Sequence, residues 1–308
     1  MQRRQIQDIA AAALFAIATA GLVGAEGTDA KAIALLAKLR ASLGGETRLA
    51  AVKGLTFEAD MRRVLPGEGG QPGPEMSGDI KLDLGGPTHY MFVDSFSPMA
   101  GMPPISIGSA IDGDTQWSGP VSAPVGNIQI RADGGGDPSR LRARLEKDMT
   151  RLSIALLAGA GLPGVEFTYG GTAESPEGKA DVLDVKGPGD FKGKLFLDQK
   201  TARPMMLVYQ EIPRRMALRR GPGGPGGAPP AAVGAEGHGA PAVAGAADPS
   251  AAPEMKEAQM FLSEYKNEDG IALPHAVTIK VQDGPTEEWT VQKIKINPVF
   301  GADHFKKR

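Results

Sequence analysis

Histidine and cysteine, two residues that often carry acid–base or metal chemistry, are scarce in this sequence, and the four histidines lie far apart. The chain has no cysteine, which excludes disulfides, thiol nucleophiles and cysteine-ligated metal centres. No two histidines have the spacing of a helical metal-binding pair such as HExxH. We therefore expect surface or strand-end histidines rather than catalytic bases or metal ligands. The four histidines are His89, His238, His275 and His304.

Motifs for nucleophilic or phosphate chemistry are also missing. No serine lies in a GxSxG context. The glycines at 134–136 precede a predicted helix, but no Lys-Ser/Thr pair follows them as in a P-loop. Acidic residues on the predicted strands alternate with apolar ones, which favours a solvent-facing surface; a glycosidase-type pair of carboxylates is the alternative. We therefore predict a protein that is not an enzyme and that uses no metal or other cofactor.

Methionine and aromatic side chains offer a different chemistry, the binding of apolar ligands. Methionine is flexible and polarizable, and it is common where one surface must fit varied apolar groups. Filling of an ordinary core is the alternative for these side chains, and copper(I) binding through thioethers is a further alternative for Met99 and Met102. The residues predicted to line an apolar ligand cavity are Phe57, Met61, Met91, Trp117, Leu207, Phe261 and Trp289.

The N-terminal residues have the order of a secretory signal peptide. Arg3 and Arg4 precede an apolar run from Ile9 to Leu22, and the small residues of Val23-Gly24-Ala25 follow it. The run has about 14 residues, whereas a helix needs roughly 20 to span a bilayer; an uncleaved anchor is the alternative. We therefore predict a signal peptide at residues 1–25, a periplasmic or secreted protein, and no stable membrane span after cleavage.

Two substantial amphipathic helices are predicted. The first covers residues 29–44, where Gly44-Gly45 can end it. The second begins at Asp137-Pro138, a typical N-cap and first-turn pair, and ends near Gly159. Their apolar residues recur at helical spacings of three and four. These residues are Ile33, Leu36, Leu39 and Leu43 in the first helix and Leu141, Leu145, Met149, Leu152 and Leu156 in the second.

Most of the remaining chain has the pattern of short strands. From Leu55 to Met61 apolar residues alternate with polar ones, as in a strand with one buried face. Turn signals such as Asp112-Gly113-Asp114 separate the strands, and a change of phase near Gln292 predicts a bulge. About ten or eleven strands with so few helices predict an α+β fold. We expect a strongly curved antiparallel sheet, or half-open β-barrel, with the helices in or over its concave face.

Residues 221–254 have a different composition. Most of them are glycine, proline or alanine, which bury little apolar surface on folding. We predict a disordered insertion within a single domain of residues 26–308. The arginines just before it predict a solvated edge, with a contact to anionic lipid head groups as the alternative; they are Arg214, Arg215, Arg219 and Arg220. The net charge of −2 and the lack of a long basic run predict no nucleic-acid binding.

The order of these features resembles the periplasmic lipoprotein carriers of the outer-membrane lipoprotein-sorting superfamily. A signal sequence leads into a helix ending in Leu43-Gly44-Gly45, a meander of strands reaches the Asp112-Gly113-Asp114 hairpin with Trp117, and a second helix follows. The chain closes with strands around Asn267-Glu268-Asp269-Gly270-Ile271-Ala272-Leu273-Pro274-His275. The resemblance implies a half-open β-barrel with a helical lid over an apolar cavity that takes acyl chains.

The main functional hypothesis is therefore a periplasmic binding or carrier protein whose partner is a lipid or a lipidated protein. The acyl chain would lie in the apolar cavity. The alternative is a protein-interaction or sensor domain of the same fold, which would bind an envelope protein through a sheet edge or through residues 221–254. Neither hypothesis involves catalysis.

Overall fold

The computed structural model describes residues 16–18, 25–67, 71–97, 103–121, 128–132, 138–175, 178–212, 216–220 and 255–307. Most of the predicted signal peptide and the whole 221–254 segment lie outside the described residues. Met99 and Met102, the proposed copper ligands, lie outside them as well. Within the described ranges, no helix combines the length and the apolar character that crossing a bilayer requires.

Three α-helices are present in the described chain: α1 (Ala25–Leu43), α2 (Glu46–Ala50) and α3 (Pro138–Leu157). The predicted apolar stripe of α1 was wrong at Ile33, which is 69% exposed. The buried positions begin one residue earlier and keep the spacing of three and four that one helical face requires. They are Ala32, Leu35, Leu39 and Leu43.

Two glycines end α1 as predicted. The Gly45 N–H donates to the Arg40 carbonyl (2.8 Å) and the Gly44 N–H to the Ala41 carbonyl (3.2 Å). Gly44 and Gly45 have φ values of 133° and 94°. Residues that carry a Cβ atom rarely adopt such backbone angles, so glycine is the natural residue for this turn.

Fifteen β-strands are found in the described chain. They are β1 (Ala16–Ala18), β2 (Leu55–Pro66), β3 (Pro72–Leu84), β4 (His89–Phe96), β5 (Ile105–Asp112), β6 (Thr115–Pro120), β7 (Ile128–Ala132), β8 (Glu166–Ser175), β9 (Gly178–Gly187), β10 (Phe191–Asp198), β11 (Pro204–Glu211), β12 (Met216–Arg220), β13 (Lys256–Glu268), β14 (Ile271–Val281) and β15 (Thr286–Ile296).

Thirteen strands form one antiparallel sheet in the order β1-β8-β9-β10-β11-β13-β14-β15-β2-β3-β4-β5-β6, and β7 pairs with β12 in a separate ribbon. The sheet ends at β1 and β6, which do not pair with each other, so it is open. This confirms the predicted α+β class with a large open antiparallel sheet. The strand number exceeds the predicted ten or eleven, because β1 lies within the predicted signal peptide and other short strands carry little periodicity.

The contacts of α3 show that the sheet is curled. Arg142 donates to the Gly113 carbonyl at the end of β5 (2.7 Å), and Arg151 donates to Glu211 on β11 (3.1 Å). The two arginines are separated by about 13 Å along the helix axis. On a flat sheet, β5 and β11 would lie seven strand spacings, or roughly 34 Å, apart. The sheet therefore bends around α3, which lies on its concave face.

Strand alternation gives the sheet an inner and an outer face. Leu55, Phe57, Ala59 and Met61 of β2 all face inward and are buried in a core shared with α1 and α3. A smaller apolar cluster lies on the outer face; it comprises Ala173, Ala180, Val182, Phe196 and Met206.

The C-terminal segment, residues 297–307, covers another part of the outer face. The Trp117 indole N–H donates to the Phe305 carbonyl (2.7 Å), and a ring nitrogen of His304 lies 2.9 Å from a carboxylate oxygen of Asp83. The Thr56 hydroxyl donates to the other oxygen of Asp83 (2.6 Å). These bonds satisfy an acidic side chain that is wholly buried.

Candidate functional site

Four of the seven residues predicted to line a cavity lie on the inner face of the sheet. Phe57, Met61, Leu207 and Trp289 are all buried and belong to one continuous core. Trp289 packs edge-on against Phe57, with 6.4 Å between the ring centroids. At these four positions the concave face is packed against the protein's own side chains.

The other three predicted residues lie on the outer face. Phe261 packs beside the outer apolar cluster, while its neighbours Met260 and Leu262 face the main core. Met91 and Trp117 line a pocket of about 200 Å³ beside the C-terminal segment. The seven side chains are therefore divided between the two faces of the sheet.

The candidate site is a pocket of about 350 Å³ between α3 and the ends of β10 and β11. Ligand pockets in proteins usually measure about 300–1,000 Å³, so a small ligand or one segment of a chain fits here. Apolar groups form much of the wall. The lining comprises Arg140, Ala143, Arg144, Lys147, Asp148, Arg151, Phe191, Tyr209, Gln210, Glu211, Ile212 and Met255.

Helix α3 gives the pocket a row of positive charge. Arg140, Arg144, Lys147 and Arg151 follow one another at spacings of four, three and four residues, which places them on one face of the helix. All four line the pocket. We call these four residues the basic stripe of α3. The two acidic residues of the lining leave a net charge of +2 on the pocket wall.

Arg151 is the buried end of this stripe. Its side chain is 6% exposed, and it lies 3.2 Å from Asp148 and 3.1 Å from Glu211. It also donates to the Tyr209 hydroxyl. Burial alone would lower the pKa of Arg151, but Tyr209, Asp148 and Glu211 raise it well above its ordinary value. The guanidinium therefore stays charged, and it remains the cationic partner of both carboxylates.

Tyr209 belongs to the same arrangement. Burial raises the pKa of its phenol well above the usual range, although the nearby Arg151 acts in the opposite direction. The hydroxyl is therefore protonated at neutral pH. Its ring lies 6.2 Å from that of Phe191, so the two aromatic residues form one side of the pocket.

Two exposed apolar residues belong to the lining of the pocket. Ile212 follows β11 and Met255 precedes β13, and each is 42% exposed. Exposed large apolar side chains are ordinary when they are isolated, but two of them at the mouth of a partly apolar pocket extend its binding surface. The entrance therefore combines apolar side chains with the outer part of the basic stripe.

The sequence carried a signal for this site that the prediction of cavity residues missed. The seven residues predicted to line a cavity all lie on strands, and the prediction for α3 rests on its apolar face alone. The basic stripe follows the same helical periodicity on a neighbouring face. The sequence does not predict that this face of α3 contacts β10 and β11, because both strands begin more than 30 residues after the helix ends.

A shallower groove of about 710 Å³ lies on the outer face across β8 to β13. Its floor includes Phe196, Met206 and Val208, and lysines lie around it. Lys194 forms an ion pair with Asp184 (2.6 Å). Because this groove lies on the exposed side of the sheet and is more open, the pocket at α3 is the better candidate for enclosing a ligand.

The described histidines have structural partners. His275 lies 2.9 Å from Glu268, His304 lies 2.9 Å from Asp83, and His89 lies 3.3 Å from Asp112. His238 lies outside the described residues. Among the described side chains, no group of three or more His, Asp or Glu is arranged to hold a metal ion.

Comparison with known proteins finds neither a matching family model nor a matching curated protein. Solved structures do match. A LolA superfamily protein from Nitrosomonas europaea is 10% identical, with 90% of this chain and 97% of the other covered and a TM-score of 0.46. An outer membrane lipoprotein-sorting protein domain from Vibrio parahaemolyticus is 10% identical, with coverages of 91% and 97% and a TM-score of 0.41.

The complex of MucA and MucB from Pseudomonas aeruginosa also matches, at 11% identity and a TM-score of 0.20, with 87% of this chain and 100% of the other covered. The structures found thus include a LolA superfamily protein and an outer membrane lipoprotein-sorting protein domain, the group of proteins that the sequence resembles.

Proposed function

We propose that this protein is a non-enzymatic binding or carrier protein that holds the acyl chain of a lipid or lipidated protein in the pocket between α3, β10 and β11. The observation that carries the proposal is the apolar part of that pocket, formed by Phe191, Ala143, Ile212 and Met255. The signal-peptide prediction adds that the protein works in the periplasm or outside the cell. A carrier needs no reactive group, and none is required at this site.

The size of the pocket limits the binding free energy that burial of apolar surface alone can supply. An acyl segment that lost about 200 Å² of exposed surface would gain roughly 5 kcal/mol at about 25 cal/mol per Å². Micromolar affinity requires about 8 kcal/mol. Contacts outside the apolar wall are therefore needed for tight binding, whereas weak binding would suit a carrier that must release its ligand.

The proposal is tested by native mass spectrometry of the purified protein, followed by organic extraction of any bound molecule. We expect a phospholipid, fatty acid or lipopeptide in part of the sample, or uptake of one after incubation. A protein that stays empty after incubation with lipids would contradict the proposal.

A matched pair of variants locates the ligand. Ala143→Phe places a ring in the pocket, and we expect it to reduce lipid uptake severalfold. Ala37→Phe makes the same change at an exposed position of α1 and should leave uptake unchanged. Circular dichroism and thermal unfolding of both variants separate a filled pocket from a damaged fold. Equal uptake by both variants with intact folds would place the ligand elsewhere.

The second candidate function, the binding of an envelope protein, is favoured by the open edge of the sheet. In the described chain, β6 is hydrogen-bonded to a strand on one side only, so an added strand would pair along its other edge, near β7. Pull-down from a periplasmic extract distinguishes the two functions, because a sensor retains one specific protein and a carrier retains lipid.

A further inference from the structure

We infer that the α3 pocket selects an amphiphile with an anionic head group, a carboxylate or a phosphate, and binds that head group on the basic stripe. This inference rests on the proposed function and names its ligand class. The acyl chain would lie against Phe191, Ile212 and Met255, and the head group against the outer part of the stripe, Arg140, Arg144 and Lys147.

The distribution of charge in the pocket sets the orientation of the ligand. Both carboxylates of the lining, Asp148 and Glu211, lie within 3.2 Å of Arg151 at the buried end of the stripe. Two acidic groups around one guanidinium leave that end without net positive charge. An anion is therefore disfavoured beside Arg151 and favoured at the other end of the stripe, where the described lining carries Arg140, Arg144 and Lys147 and no acidic side chain.

Arg151 also fixes the stripe in place. Its guanidinium contacts one carboxylate on α3 and another on β11, so it ties the helix to the strand that forms the opposite wall. Its Nε is buried and has no hydrogen-bond partner among the described residues. A buried donor of this kind is rare in native structures, and a polar ligand atom or a water inside the pocket would satisfy it.

The apolar entrance favours an amphiphile over a free anion. Ile212 and Met255 are exposed and line the same pocket as the three outer cations. A free phosphate would meet the cations but leave this apolar surface in water. An acyl chain with an anionic head group meets both kinds of surface at once, so its affinity gains from each.

The inference is tested with ligands that share one acyl chain and differ in head-group charge. Binding of palmitate and palmitoyl lysophosphatidylglycerol is compared with binding of monopalmitoylglycerol and palmitoyl lysophosphatidylcholine, all below their micellar concentrations, by calorimetry on the full chain. We expect the anionic pair to bind roughly tenfold more tightly at low salt, with the difference shrinking as salt is added.

Variants of the stripe separate the head-group site from general apolar binding. Lys147→Glu should weaken binding of the anionic ligands roughly tenfold and change binding of monopalmitoylglycerol little. Lys147→Arg should keep the preference. Lys38→Glu, at an exposed position of α1, reverses the same charge away from the pocket and should have no effect on the preference.

The outcomes distinguish the inference from the function on which it rests. Equal affinity for charged and uncharged amphiphiles would overturn the inference and leave the lipid-binding function standing. No binding of any amphiphile would overturn the function itself. Binding of inorganic phosphate or of an acidic peptide as tight as that of palmitate would show an anion site without an acyl ligand. Binding that appears only with anionic vesicles would show a membrane-docking surface instead.

Discussion

Two neighbouring arginines differ in burial, and their ion pairs should therefore contribute differently to the stability of this protein. Arg62 and Arg63 are adjacent on β2 and face opposite sides of the sheet, and each pairs with two carboxylates. The Arg62 side chain is 48% exposed and contacts Glu75 and Glu288. The Arg63 side chain is 6% exposed and contacts Asp94 and Glu287, each at 2.8 Å.

This difference predicts unequal losses of stability. Arg63→Ala removes the cation that lies 2.8 Å from the buried carboxylate of Asp94, so we expect a loss of about 3–5 kcal/mol in the free energy of unfolding. Arg62→Ala removes pairs that water already screens and should cost about 0–1 kcal/mol. Urea unfolding at neutral pH measures both variants. Equal losses would contradict the assignment of Arg63 to the interior.

The limits of sequence prediction are also visible at single residues. Phe261 lies between Met260 and Leu262, and three consecutive apolar residues give no alternation from which to choose a face. The structure places Phe261 on the outer face and its two neighbours on the inner one. The face of Trp289 is easier to predict, because an apolar residue, Val291, follows two positions later. Both side chains are buried, as this alternation predicts. The proposed cavity role of the seven residues stays a prediction.

At the scale of elements, the turn after α1 depends on a glycine for a reason beyond its dihedral angle. A methyl group at Gly44 would lie 2.4 Å from the Gly270 carbonyl oxygen, whereas one at Gly45 would meet nothing within 4 Å. Both residues have positive φ. At Gly44, therefore, the end of α1 lies too close to the turn of the β13–β14 hairpin to leave room for a side chain.

A pair of alanine variants tests this contact. Gly45→Ala should lose about 1 kcal/mol through backbone strain alone. Gly44→Ala adds a steric clash with the hairpin backbone, and we expect a loss at least about 2 kcal/mol larger. Thermal and urea unfolding give both values. A smaller loss for Gly44→Ala than for Gly45→Ala would mean that the hairpin moves away without cost.

Local sequence patterns predicted many elements well. The Asp112-Gly113-Asp114 turn joins β5 to β6, and the register of β15 against β2 shifts between Val291 and Lys293, next to the predicted bulge at Gln292. These features depend on dihedral preference and period, which neighbouring residues determine. The β7–β12 ribbon was not predicted, because its strands are short and pair across more than 80 residues.

At the scale of the whole molecule, the C-terminal segment acts as a cover on the outer face. Asp83 is wholly buried beneath it, and Phe305 and His304 supply contacts that the sheet itself cannot provide. Sequence analysis had no pattern from which to predict this packing, because the segment has neither helical nor strand periodicity. It depends on residues more than 180 positions away.

Removal of residues 298–308 should therefore destabilise the protein and expose Trp117. Asp83 would lose its contact with His304, and the Trp117 indole would lose its acceptor. We expect a loss of about 2 kcal/mol or more, together with a red shift of tryptophan emission. Repeating the truncation in a Trp289→Phe background assigns the shift to Trp117. An unchanged emission spectrum would mean that the indole is shielded by other residues.

The central position of β15 in the sheet has a consequence for how the chain folds. β15 pairs with β2 and aligns Thr290 with Asp60, so two strands from opposite ends of the sequence lie side by side. Such pairing gives a high contact order, because a loop of more than 200 residues must close before the contact forms. The sheet cannot be completed until β15, which ends at Ile296, has been synthesised. A growing chain therefore stays incompletely folded until β15 has emerged, and the two strands beside it, β14 and β2, each lack one partner until then.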